Sequence, residues 1–328
     1  MFRPRDAAVP LTREKWKDAT RPWDRTAVVS WKGVAVHAGL LVDEARTHDT
    51  LTAPTVEVRE LLSRRYASMP PTYSPTGKLL IANRSLRGLA INLLRAAYRV
   101  VPGDNWTLPI ELPATEAGPH TREWSHHDFK TFEAMLSEVQ DTDGGPDVVL
   151  DPQWRPDGLL HWVVRVGSPM VEGASFPVWS ASAPRSPIFD FEEGSDGSTQ
   201  RSGISVLGKG SGQDMVVGLS PNAGIAGTRI PDMDATKSHK HVESKADGDA
   251  LALAELRAVR EPVRWHRFKV DLANPDYPID VSQFRLGART KVWHDGDVQF
   301  DEGLREGYVT SLSGDLSSTE LTVGVTTL

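Results

Sequence analysis

The chain contains no cysteine, which excludes disulfides, thiolate metal ligands and a thiol nucleophile. No apolar run approaches the roughly 20 residues that a helix needs to cross a bilayer, so we expect no stable membrane insertion. The first residues, MFRPRDAAVPLTREKWKD, lack the apolar stretch of a secretory signal. We therefore expect a soluble protein made in the cytoplasm.

Sequence signatures of known reaction centres are missing as well. The chain has no HExxH zinc motif, no GxSxG nucleophile elbow and no GxGxxG dinucleotide fingerprint. We assign no catalytic, cofactor-binding or metal-binding residue. The prediction is a protein that is not an enzyme and needs no cofactor.

What the chain does contain is typical of a globular protein. It has 328 residues, 39% hydrophobic and 25% charged, enough for a sizeable core in two or three domains or one elaborated unit. Its formal net charge of −7 argues mildly against a nucleic-acid-binding surface, because such domains are usually basic.

Three of the longer segments have helical patterns. Ser85 is a candidate N-cap for a helix that ends near Val101–Gly103. Ser125 and Asp128 form a capping-box-like pair before an apolar stripe, and DGGP at 143–146 ends that helix. The stripe consists of Phe129, Phe132, Met135, Leu136 and Val139. A third helix is predicted over 247–260, stopped by Pro262.

Most other segments have strand patterns. One strand is predicted over Ala27–His37, further extended segments near 39–43 and 50–58, and a short helix around Val58–Tyr66. A short strand at 148–150 and a turn at 156–158 precede a strand over 160–166. In that strand, Trp162 lies on one face and His161 and Arg165 on the other. After residue 170, short strands and turn signals predominate, which favours a barrel or sandwich. The fold class is therefore strand-rich α+β.

Histidines and acidic residues are the first candidates for a metal site. His120, His126 and His127 lie near one another in sequence, as do His239 and His241. Asp141–Gly145 superficially resembles a calcium loop, but its sixth and twelfth positions are Pro146 and Pro152 rather than Gly and Glu. We interpret these segments as a first helical turn, a charged loop and a helix stop.

Two further patterns suggest chemistry and have simpler interpretations. Gly208, Gly210 and Gly212 have the wrong spacing for a dinucleotide loop, and the segment from Asp214 to Val217 is predicted as another strand, so they indicate a hairpin. Glu192, Glu193 and Asp196 could pair as in a glycosidase, but the pattern places them in a Gly/Ser loop.

Ten tryptophans are many for a soluble chain of this length. Trp31 and Trp162 fit core positions in strands. Trp16, Trp23, Trp106 and Trp179 lie in polar or Pro-rich surroundings. There they serve as anchors for irregular loops, or as subunit-contact or sugar-stacking residues.

Several segments together resemble one protein family. They are WDRTAVVSWKGVAVHAG with LTAPTVEVRELLSRRY, GGPDVVLDPQW with LLHWVVRVG, SGISVLGKGSGQDMVVG, and DGDALALAELRAVREP before the closing strands. These resemble the tail-tip, or baseplate, hub proteins (minor tail proteins) of long-tailed bacteriophages that infect actinobacteria. The resemblance extends over most of the chain, and none of its pieces is a catalytic or metal signature.

The resemblance implies two hub-type β-barrel domains with a small inserted α/β domain. The expected boundaries are 1–114 for an N-terminal arm and first barrel with helices, 115–170 for the insert, and 171–328 for the second barrel. It also implies a homotrimeric ring at the tail tip of the virion, contacting the distal tail protein, the tape-measure protein and other tail-tip proteins. DNA would meet the ring only in transit.

Two other functions stay open at this point. A carbohydrate-binding or cell-wall-degrading tail component would use the tryptophans and loop carboxylates. A cytoplasmic α/β enzyme unrelated to phages is disfavoured by the missing motifs. The chain stops at a strand, so we expect no appended lytic or receptor-binding module.

Overall fold

A computed structural model describes residues 12–47, 50–67, 77–98, 108–142, 144–167, 175–220, 231–239, 242–277, 279–315 and 317–327. The chain forms two compact units. The first unit comprises Met1–Phe176 and Pro275–Arg289, and the second comprises Pro177–Asn274 and Thr290–Leu328.

The first unit is built from short helices and small sheets. Its helices are α1 (Arg13–Ala19), α2 (Glu60–Arg64), α3 (Leu86–Ala97) and α4 (Phe132–Gln140). Its strands are β1 (Thr26–Trp31), β2 (Val34–Leu41), β3 (Ala45–Arg46), β4 (Leu51–Thr52), β5 (Thr55–Val56), β6 (Lys78–Arg84), β7 (Ile110–Glu111), β8 (His120–Ser125), β9 (Val148–Trp154) and β10 (Leu160–Val166). They form sheets β1-β2-β5 and β7-β10-β9 and the pairs β3-β4 and β6-β8.

The single strand predicted over Ala27–His37 is wrong, because this segment is a hairpin. Strands β1 and β2 pair antiparallel on either side of Lys32 and Gly33. Both turn residues have positive φ, +47° and +83°, which is the geometry that two-residue hairpin turns require. Gly33 within the predicted strand therefore marks a turn.

Helix α3 begins where its sequence predicts. The Ser85 side chain accepts a hydrogen bond from the Gly88 N–H, and the apolar face of the helix is buried in the core of the unit. The helix ends at Ala97 with Tyr98 as its C-cap. The stop predicted at Val101–Gly103 lies outside the described residues.

The helix predicted from Ser125 is divided in two. Ser125 and Asp128 do form a capping box, but it caps a single 3₁₀ turn over His126–Asp128. Phe129 then adopts φ +45°, and α4 begins afresh with Thr131 as its N-cap. Phe129 is consequently 66% exposed, whereas the other members of the predicted stripe are buried.

The hairpin of β9 and β10 confirms the predicted alternation. The two strands pair antiparallel from Leu160↔Trp154 to Val166↔Val148. Trp162 is buried, while His161 and Arg165 lie on the other face. Gly158, at φ +77°, closes the turn.

The second unit contains the remaining described strands. They are β11 (Ser175–Ser180), β12 (Ile188–Asp196), β13 (Gly203–Leu207), β14 (Val217–Leu219), β15 (Asp234–Ser238), β16 (Val263–Asp271), β17 (Arg289–His294), β18 (Gly303–Gly314) and β19 (Glu320–Thr327), with helix α5 at Lys245–Val259. An open sheet of order β11-β17-β18-β19-β16-β12 carries most of them, and β14-β13-β15 forms a second sheet.

Helix α5 packs on the smaller sheet at very close range. Ser244 caps the helix, which begins at Lys245, two residues before the predicted start at 247. Gly218 of β14 faces Gly248 of α5, and a Cβ atom on Gly218 would lie 2.0 Å from the Gly248 carbonyl carbon. Two glycines are needed because only bare backbone permits this approach.

The loop containing Gly208, Gly210 and Gly212 is the turn of an antiparallel hairpin between β13 and β14, as predicted. Asp214 belongs to a 3₁₀ turn, so the second strand starts at Val217. Taken together, the described elements form a strand-rich α+β protein. The two closed barrels, the inserted domain and the boundaries at 114 and 170 stay predictions.

Candidate functional site

The histidines proposed as metal ligands have other contacts. The rings of His126 and His127 lie 3.8 Å apart, and His126 Nδ1 is 2.7 Å from the Gly77 carbonyl oxygen. His239 Nε2 lies 3.4 Å from a Glu255 carboxylate oxygen, and His241 lies outside the described residues. Within the described ranges, no group of three or more His, Asp or Glu residues could hold a metal ion.

The acidic candidates do not lie in a loop. Glu192, Glu193 and Asp196 all belong to β12, so the loop predicted for them is wrong. Glu192 pairs with Arg267. The backbone N–H of Ser198 donates to Asp196 and lowers the pKa of that carboxyl. Because adjacent strand residues point to opposite faces, Glu192 and Glu193 do not form a carboxylate pair.

The tryptophans divide between core and surface. Trp162 is buried as predicted, and Trp31 is half-buried. Trp23 is 43% exposed, with the Arg64 guanidinium 4.6 Å from its ring centroid. Trp179 is in β11, edge-to-face with Phe268, and Trp106 lies outside the described residues. Binding of glycans or subunits by these rings stays a prediction.

A cluster that the sequence reasoning missed lies on the buried face of the six-stranded sheet. We call it the histidine cluster: His266 of β16, His294 of β17, Phe191 of β12, Phe268 of β16 and Phe300. The Phe191 ring lies 5.8 Å from His266, 5.7 Å from His294 and 5.5 Å from Phe300. Phe268 stacks on His266 at 6.3 Å. Both imidazoles are thus held among phenylalanine rings.

His266 is the most enclosed member of the cluster, with 1% of its surface exposed. Its Nδ1 is 3.4 Å from the Thr327 hydroxyl, and its Nε2 is buried without a hydrogen-bond partner among the described residues. Burial lowers the pKa of His266 to about 4, and the nearby Glu193 carboxylate only partly opposes this effect. His266 is therefore neutral at physiological pH.

An ion pair borders the cluster. The register pairs Glu193 of β12 with His266, so their side chains lie on the same face of the sheet, Glu193 at its partly exposed margin. Arg305 of β18 donates to Glu193 from Nε at 2.9 Å and from Nη2 at 3.4 Å. Because β19 and β16 lie between β18 and β12, this pair links strands that are not neighbours.

His294 is held by its own loop. Its Nδ1 accepts a hydrogen bond from the Gly296 N–H at 3.0 Å, and its Nε2 lies 4.0 Å from an Asp297 carboxylate oxygen. Backbone donors from Gln299 and Phe300 lower the pKa of Asp297. The arrangement has no nucleophile aligned with a base, and its chemistry is that of proton uptake and ion pairing.

A sequence signal for this cluster did exist. In VRWHRFKV, residues 263–270, His266 alternates in phase with Phe268 and Val270 on the buried face. A histidine in phase with core residues indicates a buried imidazole. The partners Glu193 and Arg305 are far away in sequence, and the fold alone brings them to it.

No protein-family model matches the chain, and no curated protein sequence matches it significantly. Solved structures do. The 43 kDa tail protein of prophage MuSo2 from Shewanella oneidensis is 10% identical with a TM-score of 0.53, over 94% of this chain and 84% of that one. That likeness shows a shared fold.

Two other similar structures are also named as tail proteins. One, from Neisseria meningitidis, is 15% identical with a TM-score of 0.47, over 89% of this chain and 80% of that one. A prophage tail protein from Listeria monocytogenes is 10% identical with a TM-score of 0.43, over 91% of this chain and 78% of that one. Among the described helices, none is long and apolar enough to cross a membrane.

Proposed function

We propose that this chain is a structural subunit of a bacteriophage tail. The observation that carries the proposal is the fold shared with the Shewanella prophage tail protein over 94% of the chain. The described residues offer a histidine cluster and ion pairs but no aligned nucleophile and base, so the proposed role is mechanical.

Within the tail, we place the chain in the hub at the tip of a long-tailed phage of actinobacteria. The hub would be a homotrimeric ring that closes the tail tube, binds the distal tail, tape-measure and receptor-binding proteins, and opens for DNA. The six-stranded sheet is open, with β11 and β12 as its edge strands. Unpaired strand edges are templates for association, and ring closure is one way to cover them.

The net charge of −7 suits a DNA conduit, because it limits adhesion to passing phosphates. The protein would be made in the host cytoplasm and then reside in the virion.

Light scattering of the purified chain over a concentration series tests the assembly. A subunit of 36.0 kDa gives a trimer of about 108 kDa (3 × 36.0), and electron microscopy of that species should show a central channel. Antibody labelling of virions should mark the tail tip. A stable monomer that is also absent from virions would overturn the proposal.

A further inference from the structure

On the face of the six-stranded sheet that carries His266, the Glu193 carboxylate is 33% exposed and lies within reach of two cationic groups. Glu193 of β12 is the register partner of His266 of β16, and directly paired residues on one face lie about 5 Å apart at Cβ. The same carboxylate accepts two hydrogen bonds from Arg305 of β18.

The remaining titratable and charged groups around His266 are few. Among the described residues, the charged side chains that act on His266 are those of Glu193 in β12 and Arg305 in β18. From β17 comes His294, which is screened by Phe191 and is itself close to Asp297. β19 contributes the hydroxyl of Thr327. Of the carboxylates in the described residues, Glu193 is therefore the one within reach of a protonated His266.

The surroundings of His266 stabilise its neutral ring and disfavour the protonated one. The neutral ring packs against Phe191 and Phe268, and its buried Nε2 has no hydrogen-bond partner among the residues that the structure describes. An imidazolium has two N–H donors and a full charge, and burying it without an acceptor is strongly unfavourable. Arg305 adds repulsion, because a second cation lies against the same carboxylate.

The Arg305–Glu193 pair spans an unusual distance within a sheet. Strands β18 and β12 are three strand spacings apart, roughly 14 Å in a flat sheet. The pairing of β18 with β19 begins at Gly307↔Thr327, so Arg305 lies beyond that ladder and crosses to β12 with its side chain. Its side chain is only 13% exposed. The pair fastens the start of β18 to β12 where no backbone ladder does so.

We propose that His266, Glu193 and Arg305 form an acid-sensitive clasp in which protonated His266 takes Glu193 from Arg305 and releases the start of β18 from β12. The proton comes from solvent, and no covalent bond changes. Strand β12 is suited to such a release, because its register with β16 already shifts between Phe189 and Glu192, with Asp190 at φ +49°. The proposal concerns the second unit and does not depend on the role in a phage tail.

The test is amide hydrogen exchange of the full chain at pH 7.5 and pH 5, corrected for the intrinsic effect of pH on exchange. Peptides from β12 and the start of β18 should lose protection by roughly 30-fold at pH 5, if His266 titrates near its ordinary pKa once the clasp opens. His266→Phe keeps the aromatic packing and removes the titrating group, so it should lose less than about 3-fold.

Two further variants make the test decisive. Glu193→Gln breaks the clasp at any pH, so its β12 and β18 peptides should exchange fast already at pH 7.5. His37→Phe removes an exposed histidine of the first unit and should respond to acid like the wild type. Equal loss of protection in His266→Phe and wild type, or full protection of Glu193→Gln at pH 7.5, would overturn the proposal. Should His266→Phe not fold, the Glu193→Gln comparison decides alone.

Discussion

The interiors of the two units differ in kind. The core of the first unit packs helices α3 and α4 against small sheets, and the cluster is built of apolar side chains such as Leu89, Phe132 and Trp162. In the second unit, the six-stranded sheet buries His266 and His294 in the same layer as its valines and phenylalanines. An apolar side chain binds no proton, so its burial contributes equally at every pH, whereas the burial of a neutral imidazole does not.

The reason lies in what each sheet has to cover. Helices in the first unit supply a broad apolar surface, and its buried carboxylate Asp151 is neutralised by a direct ion pair with Arg165. In the second unit, one end of the large sheet is covered by two histidine side chains and by the Arg305–Glu193 ion pair. We expect the first unit to respond mainly to loss of volume and the second to respond also to protons.

The largest effect should come from truncating the core of the first unit. Phe132→Ala removes a side chain that is 1% exposed, so we expect a loss of about 3–5 kcal/mol in unfolding free energy from lost burial and the remaining cavity. Urea unfolding of the two variants measures it. Phe129→Ala, three residues earlier and 66% exposed, should change stability by less than about 0.5 kcal/mol. Similar losses in both would contradict the break between Asp128 and α4.

The next largest effect is a loss of stability at low pH, and we expect it to be confined to the second unit. The pKa of His266 falls from 6.5 in the unfolded chain to about 4 in the folded one. Because the folded state disfavours the proton, stability is complete above pH 6.5 and declines as pH falls towards 4, by about 3 kcal/mol in total. Urea unfolding at each pH, followed by amide exchange in peptides of each unit, should show this slope in wild type and not in His266→Phe. An equal slope in both would exclude His266 as its source.

A smaller loss of stability is expected from a substitution at the close contact between β14 and α5. Gly218→Ala would place a methyl group against the backbone of Gly248, and we expect α5 and β14 to separate at a cost of about 1–3 kcal/mol. Gly197→Ala is the matched control, because the nearest atom to its new methyl group is the flexible end of Gln200 at 3.4 Å. Exchange of α5 amides measures the difference. Indistinguishable variants would rule out the close packing.

The smallest loss of stability is expected from removing one helix N-cap in each unit. Ser85→Ala removes the acceptor for the Gly88 N–H in α3, and Ser244→Ala removes that for Asp247 in α5. Each should cost about 1 kcal/mol, read as faster exchange in the first turn of the affected helix. Faster exchange in the other unit's helix would indicate that the units do not unfold separately.

Local signals predicted much of this architecture. The N-cap at Ser85, the alternation around Trp162 and the glycine hairpin at 208–212 all follow from side-chain periods and turn chemistry. Such features depend on residues that are close in sequence. The fold class followed from them.

Where local signals compete, the prediction was wrong. Ser125 and Asp128 make a capping box, yet Thr131, six residues later, is an equally good N-cap. Burial of Phe132 favours the helix that starts after Thr131. Lys32 and Gly33 interrupt a continuous apolar pattern, and only pairing of β1 with β2 identifies them as a turn. Glu192 and Glu193 look loop-like until β16 aligns them in a strand.

Composition and short-range periods are sufficient to predict the strand-rich α+β class, the start of α3 and the absence of thiol chemistry. Tertiary structure decided which polar groups meet. His266, Glu193 and Arg305 are 39 to 112 residues apart, and nothing local specifies their contact. They lie together because the sheet order places β12 beside β16 and lets β18 reach across, a non-local arrangement that the whole fold stabilises.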